Sequence, residues 1–170
     1  MKDTTVIAAA LFAAAMCLAQ IAVHQGNRIA SDAAYPPLTT VGYTNAAVTQ
    51  DNLASTVCVS GWTKTIRPPA SYTDKLKREQ MTALGLPGTP GDYEEDHFIS
   101  LEIGGNPIDP RNLWPEPYAG PYGARVKDQV EDAMHRELCA GRMSLDDVQS
   151  CITSDWVACG IAHHVKALSK

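Results

Sequence analysis

The sequence contains no CxxC pair and no surplus of basic residues. Structural zinc sites usually draw two thiolates from a CxxC pair, so its absence argues against a zinc-stabilised fold. A formal net charge of -5 argues against a protein that binds nucleic acid through bulk positive charge. With 170 residues, the chain has room for one domain of ordinary size around a single core.

Charged residues are also missing near the start, where Val6–Val23 carries none in 18 positions. This stretch is too apolar and too close to the start to belong to the fold, and it has the features of a signal peptide preceded by Lys2. We therefore predict that residues 1–23 form a signal peptide, which implies a periplasmic or secreted protein. An uncleaved membrane anchor is an alternative, because the length reaches the lower limit for a spanning helix. A cytosolic apolar arm is a third.

Four cysteines lie beyond that segment: Cys58, Cys139, Cys151 and Cys159. In an exported chain an even number indicates two disulfides, for which three pairings exist. If one unbroken helix carried Cys151 and Cys159, they would lie about 12 Å apart along its axis, beyond the limit of roughly 7 Å between the Cα atoms of a disulfide. That pair needs a break in the helix, and we favour Cys58 with Cys139. Four buried thiols are the alternative.

The chain beyond residue 23 divides into two parts. Residues 24–50 are rich in Ala, Thr, Asn and Pro without clear periodicity, which predicts a linker or extended arm. Residues 51–170 are predicted to form a single domain. Capping residues and apolar periodicity predict helices in that domain. They are a helix from Ser71 to Gly85, a helix over Tyr122–Ala140 and a final helix that begins at Ser144.

Charge is distributed unevenly within the predicted domain. Trp62–Gln80 carries five basic and two acidic residues, whereas Asp92–Tyr118 carries seven acidic residues and only Arg111 as a base. A basic strip beside an acidic pocket suits an enzyme that holds a divalent cation and an anionic substrate together. It also suits an ordinary solvated surface. Within the acidic stretch, Glu94 and Glu95 are expected to be surface charge.

Between the first two helices, the sequence YEEDHFISLEIGG followed by NPIDPRNLWPEP predicts two short extended pieces. Asp96 and His97 stand at the end of the first piece, a Gly-Gly pair follows, and Asn112 with the next Leu opens the second. This order resembles the HNH endonuclease family, and GWTKTIRPP, NLWPEP and KDQVED make the chain similar to small exported bacterial proteins with an HNH-like core. The resemblance implies an α+β fold whose ββα-metal core, a short hairpin plus a helix, covers residues 93–140. Flanking helices and disulfides would complete it.

The resemblance also implies a function, that of a metal-dependent nuclease that hydrolyses the phosphodiester bonds of DNA or RNA. His97 would be the general base, because an imidazole with a pKa of about 6.5 accepts a proton near neutral pH. Asp96 would bind a divalent cation, Mg²⁺ or alternatively Mn²⁺ or Zn²⁺, which stabilises charge on the phosphate. Asn112 would pin the loop between the two strands, and Lys127 would join the catalytic residues.

The chain departs from the family pattern at Gly123 and Ala124, where the family carries a His or Asn ligand early in the helix. A second metal ligand then has to come from Glu131 or His135, one turn apart on the same helix face. The same spacing also fits a surface ion pair. Phosphate contacts are expected from four basic residues: Lys64, Arg67, Arg125 and Lys127. A catalytically inactive HNH-like envelope protein with a binding or structural role is the alternative function.

Overall fold

The structure is a computed structural model that describes residues 36–37 and 40–169. The predicted signal peptide or anchor over residues 1–23 lies outside these residues, and so does most of the predicted arm. The described residues belong to one structural unit that begins at Pro36. No helix among them is both long and apolar enough to cross a membrane.

The fold is α+β, as predicted from the sequence. Helices and one antiparallel hairpin make up the regular structure of the described part. In chain order they are α1 (Trp62–Ile66), α2 (Ala70–Leu84), β1 (Tyr93–His97), β2 (Leu113–Pro117), α3 (Ala124–Cys139) and α4 (Leu145–Ala162). Short 3₁₀ turns lie at Gln50–Ser55, Pro90–Asp92, Leu101–Ile103, Pro110–Asn112 and Lys166–Leu168.

The main core lies where α3 packs against α4. Both helices contribute apolar side chains spaced three or four residues apart, which places them on one face of each helix. The buried members are Val130, Met134 and Leu138 of α3 and Val148, Ile152 and Trp156 of α4. This packing fixes α3, and α3 in turn packs against β1 and the Leu101–Ile103 turn.

Local capping residues mark one helix end and one helix start close to the predicted positions. α2 stops at Gly85, which adopts the left-handed conformation with φ 62° that favours glycine. α4 begins after Ser144, whose Oγ accepts a hydrogen bond from the backbone N–H of Asp147 at 3.1 Å. These ends were predictable because each depends on residues within one turn of the helix terminus.

Two disulfides cross-link the domain. Cys58 and Cys139, the pair favoured from the sequence, are joined with their Cα atoms 5.6 Å apart, which ties the segment before α1 to the end of α3. Cys151 and Cys159 are also joined, with a Cα separation of 5.5 Å inside α4. The break that this pair requires lies at Asp155, whose φ of -165° and ψ of 89° are not helical.

The first strand of the hairpin ends at His97, where the sequence placed the end of the first extended piece. β1 pairs with β2 so that Asp96 lies opposite Trp114 and His97 opposite Leu113. Beyond His97 the chain leaves the sheet and forms the Leu101–Ile103 turn. The strand therefore stops at the two residues singled out as functional.

The last part of the predicted arm is folded onto the domain. The backbone N–H groups of Val41 and Asn45 donate to the carbonyls of Arg111 and Gly104 at 3.1 and 2.8 Å. Val48 is buried. Apolar contact and backbone hydrogen bonds thus place residues 40–49 within the domain, whose predicted start was residue 51.

Candidate active site

A solvent-open cleft of about 350 Å³ is lined by α1, by the end of β1 and the turn after it, and by residues 128–132 of α3. Its acidic lining residues are Glu94, Asp96, Glu102, Asp128, Glu131 and Asp132. The other lining residues are Thr63, Arg67, His97, Ser100 and Leu101. Burial, and then the charge of nearby carboxylates, raises the pKa of Glu94 and Asp128. The cleft is therefore a region of negative potential with a single Arg in its lining.

His97 is held in one orientation at the wall of this cleft. The ring is buried, and its Nε2 lies 3.0 Å from the carbonyl oxygen of Pro107. Because a carbonyl only accepts, Nε2 carries the proton and Nδ1 of the neutral ring is a proton acceptor. Burial lowers the pKa of His97, which keeps the ring neutral near pH 7.

Asn112 organises the loop that follows β1. Its side-chain Oδ1 accepts from the backbone N–H groups of Ile99 at 3.0 Å and Tyr43 at 3.2 Å. Its Nδ2 donates to the carbonyls of Ile99 and Asn106, each at 3.0 Å. The amide is fully buried, so one side chain joins three separate backbone segments below His97.

The Gly-Gly pair has a steric reason. A Cβ at Gly105 would lie 1.7 Å from the carbonyl oxygen of Ile99, a distance that excludes any side chain. Gly104 adopts a φ of 82°, in the left-handed region. The two glycines thus let the loop close against the backbone that Asn112 holds.

Lys127 lies at the centre of the buried part of the site, with 1% of its surface exposed. Its Nζ donates to Asp96 Oδ2 at 2.5 Å, to the carbonyl oxygen of His97 at 3.0 Å and to the carboxylate of Glu131. Burial favours the neutral amine, but the charges of Asp96 and Glu131 outweigh burial and hold the pKa of Lys127 well above its usual range. The ammonium therefore has a partner for each of its three hydrogens.

Glu116 completes this cluster and was missed in the sequence analysis. It is fully buried on β2, and as a carboxylate it would leave both oxygens without a hydrogen-bond partner. Burial, together with the charge of Asp96, raises the pKa of Glu116 well above its usual range. As a neutral acid it donates to Asp96, and this bond and Lys127 keep the pKa of Asp96 low despite its burial. The strand register places Asp96 and Glu116 on the same face of the hairpin.

Glu94 and Glu95 are not surface charge, contrary to the expectation. Both are half-buried, and Glu94 lines the cleft. Glu95 points to the other face of the hairpin, where its two oxygens are buried without a hydrogen-bond partner. Burial, partly offset by the charge of Lys77, raises the pKa of Glu95 to about 8.

The three expected metal ligands do not converge. Asp96 and Glu131 approach each other, but both turn a carboxylate oxygen to Lys127 Nζ. His135 faces elsewhere, with Nε2 2.9 Å from the carbonyl oxygen of Val57 and Nδ1 3.7 Å from a carboxylate oxygen of Glu102. The residues expected from the sequence therefore do not fit a resident metal ion.

The position where the family pattern carries a ligand has no room for one. Gly123 precedes α3, and a Cβ there would lie 2.5 Å from the carbonyl oxygen of Tyr118. The next residue, Ala124, is 1% exposed. The close packing at the start of α3 thus leaves no space for a larger side chain at either position.

The predicted phosphate contacts have different surroundings. Lys127 is buried and bonded within the protein, so the expectation that it contacts phosphate is wrong. Arg67 lines the cleft. Lys64 and Arg125 are exposed, and the guanidinium of Arg125 lies over the ring of Tyr118 at 5.4 Å.

Within the part of the chain that the structure describes, cysteine and histidine side chains form two groups that could hold a metal ion, with potential ligand atoms within 4.8 Å of one another. They are Cys58, His135 and Cys139, and Cys151, Cys159 and His163. In each group the two cysteines are joined as a disulfide. Because metal binding by cysteine requires thiolates, only the reduced chain offers these donor sets.

Comparison with protein-family models, with curated proteins and with solved structures finds no match to this chain. The case for a function therefore depends on the cleft itself. Its informative parts are an oriented neutral imidazole, a loop fixed by one buried amide, and a buried ammonium surrounded by carboxyl groups.

Proposed function

We propose that the cleft is the active site of an HNH-like nuclease that hydrolyses phosphodiester bonds of DNA or RNA, with His97 as general base. The observation that carries the proposal is the bond between His97 Nε2 and Pro107 O, which leaves Nδ1 as the proton acceptor. A neutral imidazole in this state can take a proton from a water molecule that attacks phosphorus. Asn112 and Lys127 are positioning residues, because they hold the loop and the backbone of His97.

The acidic lining of the cleft would oppose the entry of an anionic substrate. Glu94, Asp128 and their neighbours repel a bare phosphate. A divalent cation carried on the substrate phosphates, Mg²⁺ or alternatively Mn²⁺ or Zn²⁺, would reverse that repulsion, since hard cations prefer carboxylate oxygens. Arg67 in the lining of the cleft is the phosphate contact in this proposal.

Digestion assays test the proposal directly. Plasmid, single-stranded DNA and RNA would be incubated with the wild type and with His97→Ala, in the presence of Mg²⁺ or Mn²⁺. We expect the substitution to lower the cleavage rate about 100-fold or more, the usual contribution of a general base. His163→Ala, outside the cleft, is the matched control and should retain activity. Equal cleavage by the wild type and His97→Ala, or none by the folded wild type, would contradict the proposal.

A second candidate is an inactive HNH-like scaffold that binds or supports other molecules of the cell envelope. The observation that favours it is Lys127, whose ammonium already supplies the positive charge between Asp96 and Glu131. This candidate predicts a folded protein that cleaves none of the substrates under any metal condition. The same digestion assays therefore separate the two functions.

A further inference from the structure

We infer that Lys127 is a built-in cation that occupies a latent divalent-cation site, and that the site opens when the side chain is removed. Three oxygens converge on its Nζ: Asp96 Oδ2 at 2.5 Å, the carbonyl oxygen of His97 at 3.0 Å and a carboxylate oxygen of Glu131. Carboxylate and backbone carbonyl oxygens are the donors that Mg²⁺, Mn²⁺ and Ca²⁺ prefer. The surroundings of the ammonium are thus those of a hard metal ion.

The burial of the acidic groups explains why a cation is required at this point. Asp96 and Glu131, the two carboxylates bonded to Lys127, are 9% and 5% exposed. An ionised carboxylate that loses its water is strongly destabilised unless a positive charge lies beside it. Lys127 supplies that charge from within the chain, so the folded protein needs no ion from solution.

The distances from Lys127 Nζ to the surrounding oxygens are those of ammonium hydrogen bonds and not those of metal–oxygen bonds. A separation of 3.0 Å from His97 O suits an N–H···O hydrogen bond, whereas Mg²⁺ binds oxygen at about 2.1 Å and Ca²⁺ at about 2.3–2.6 Å. Truncation at Cβ would vacate the volume of the lysine stem and leave the oxygens in place. Asp96 also lines the open cleft, which gives an ion and its water ligands a path to the space.

The inference concerns metal binding without substrate and does not depend on nuclease activity. Mn²⁺ and Mg²⁺ would be titrated calorimetrically into the wild type, Lys127→Ala and Lys127→Met, with thermal melts in parallel. We expect the wild type to show no saturable metal binding at Asp96. Lys127→Ala should bind Mn²⁺ and gain about 5 °C or more in Tm at saturating metal.

Lys127→Met is the matched control, because its side chain fills the vacated space without offering charge, and it should gain no metal binding. The double variant Asp96→Asn, Lys127→Ala should lose the binding that Lys127→Ala acquires. If Lys127→Ala does not fold by itself, refolding in Mn²⁺ is the measurement, and recovery of the folded state supports the inference. It is overturned by failure of that recovery, by equal binding in Lys127→Ala and Lys127→Met, or by wild-type binding that Asp96→Asn removes.

Discussion

The side chain of Asn112 bonds to both backbone groups of Ile99, accepting from its N–H and donating to its carbonyl, each at 3.0 Å. The Asn112 side chain therefore pairs with the N–H and the carbonyl of Ile99 as a neighbouring strand would, although Ile99 lies outside the sheet. Because the same side chain also reaches Tyr43 and Asn106, its loss would leave several buried backbone groups without partners.

We expect Asn112→Ala to lower the free energy of unfolding by about 3 kcal/mol or more, since each buried group left unsatisfied costs about 1–3 kcal/mol. Urea unfolding followed by circular dichroism measures the change. Asn45→Ala is the control, because it keeps the backbone bonds of Asn45 and removes a side chain whose Oδ1 accepts from the nearby N–H of Ala47 in an exposed hydrogen bond of 3.0 Å. A loss no larger than that of the control would contradict the assigned role.

Glu95 should make stability depend on pH. Its pKa is about 8 in the folded protein, so between its unfolded pKa and that value the folded state binds more protons than the unfolded chain. Its contribution to stability therefore falls as pH rises from about 4.3 to about 8. Glu95→Gln, which cannot ionise, should become progressively more stable than the wild type over this range.

Unfolding curves of the wild type and Glu95→Gln at several pH values across that window give the difference in stability. Glu79→Gln supplies the baseline, because it removes a carboxylate from an exposed position on α2. A difference that stays constant with pH, or that shrinks as pH rises, would show that Glu95 ionises normally in the folded protein.

The two disulfides should contribute unequally. The chain-entropy relation gives about 4.5 kcal/mol for the loop closed by Cys58 and Cys139 and about 2.5 kcal/mol for the short loop closed by Cys151 and Cys159, since the sequence separations are 81 and 8 residues. Urea unfolding of the two paired Cys→Ser variants measures this order. A larger loss of stability without the Cys151–Cys159 disulfide would indicate that this bond stabilises the folded α4 directly.

Introducing a metal ligand at the start of α3 should fail for steric reasons. We expect Gly123→Ala to cost about 2 kcal/mol or more, because its Cβ would meet Tyr118 O at 2.5 Å and the helix start would have to shift. Gly123→His should be no better and should not create metal binding. Thermal melts check the first point, and Gly91→Ala is the matched control, because neither glycine is in the left-handed region and a Cβ at Gly91 would meet only Thr89 Oγ1 at 3.7 Å.

Local signals explain which parts of the fold were predictable. Gly85 and Ser144 mark helix ends through hydrogen bonds within a turn of the chain, and the stripe through Val130 and Met134 reveals the buried face of α3. The roles of Asp96 and His97 were expected from the resemblance to the HNH family, and they remain predictions. None of these inferences required knowledge of long-range contacts.

Long-range contacts explain what was missed. Lys127 was expected to meet an external phosphate, and only the packing of α3 against β1 shows that this lysine is buried. Glu116 becomes a partner of Asp96 once the strand register is known. His135 shares a helix face with Glu131, but its real partner, the carbonyl of Val57, lies 78 residues away in sequence.

The bonds from residues 40–45 to the loop have a practical consequence for where the chain can be cut. Tyr43 N–H donates to the Asn112 side chain, and Val41 N–H donates to Arg111 O. A truncation that starts the chain at residue 51 would retain α1 to α4 and both strands, but it would remove these hydrogen-bond partners from the loop that follows His97. Shortened versions made for biochemical work should therefore begin before Thr40.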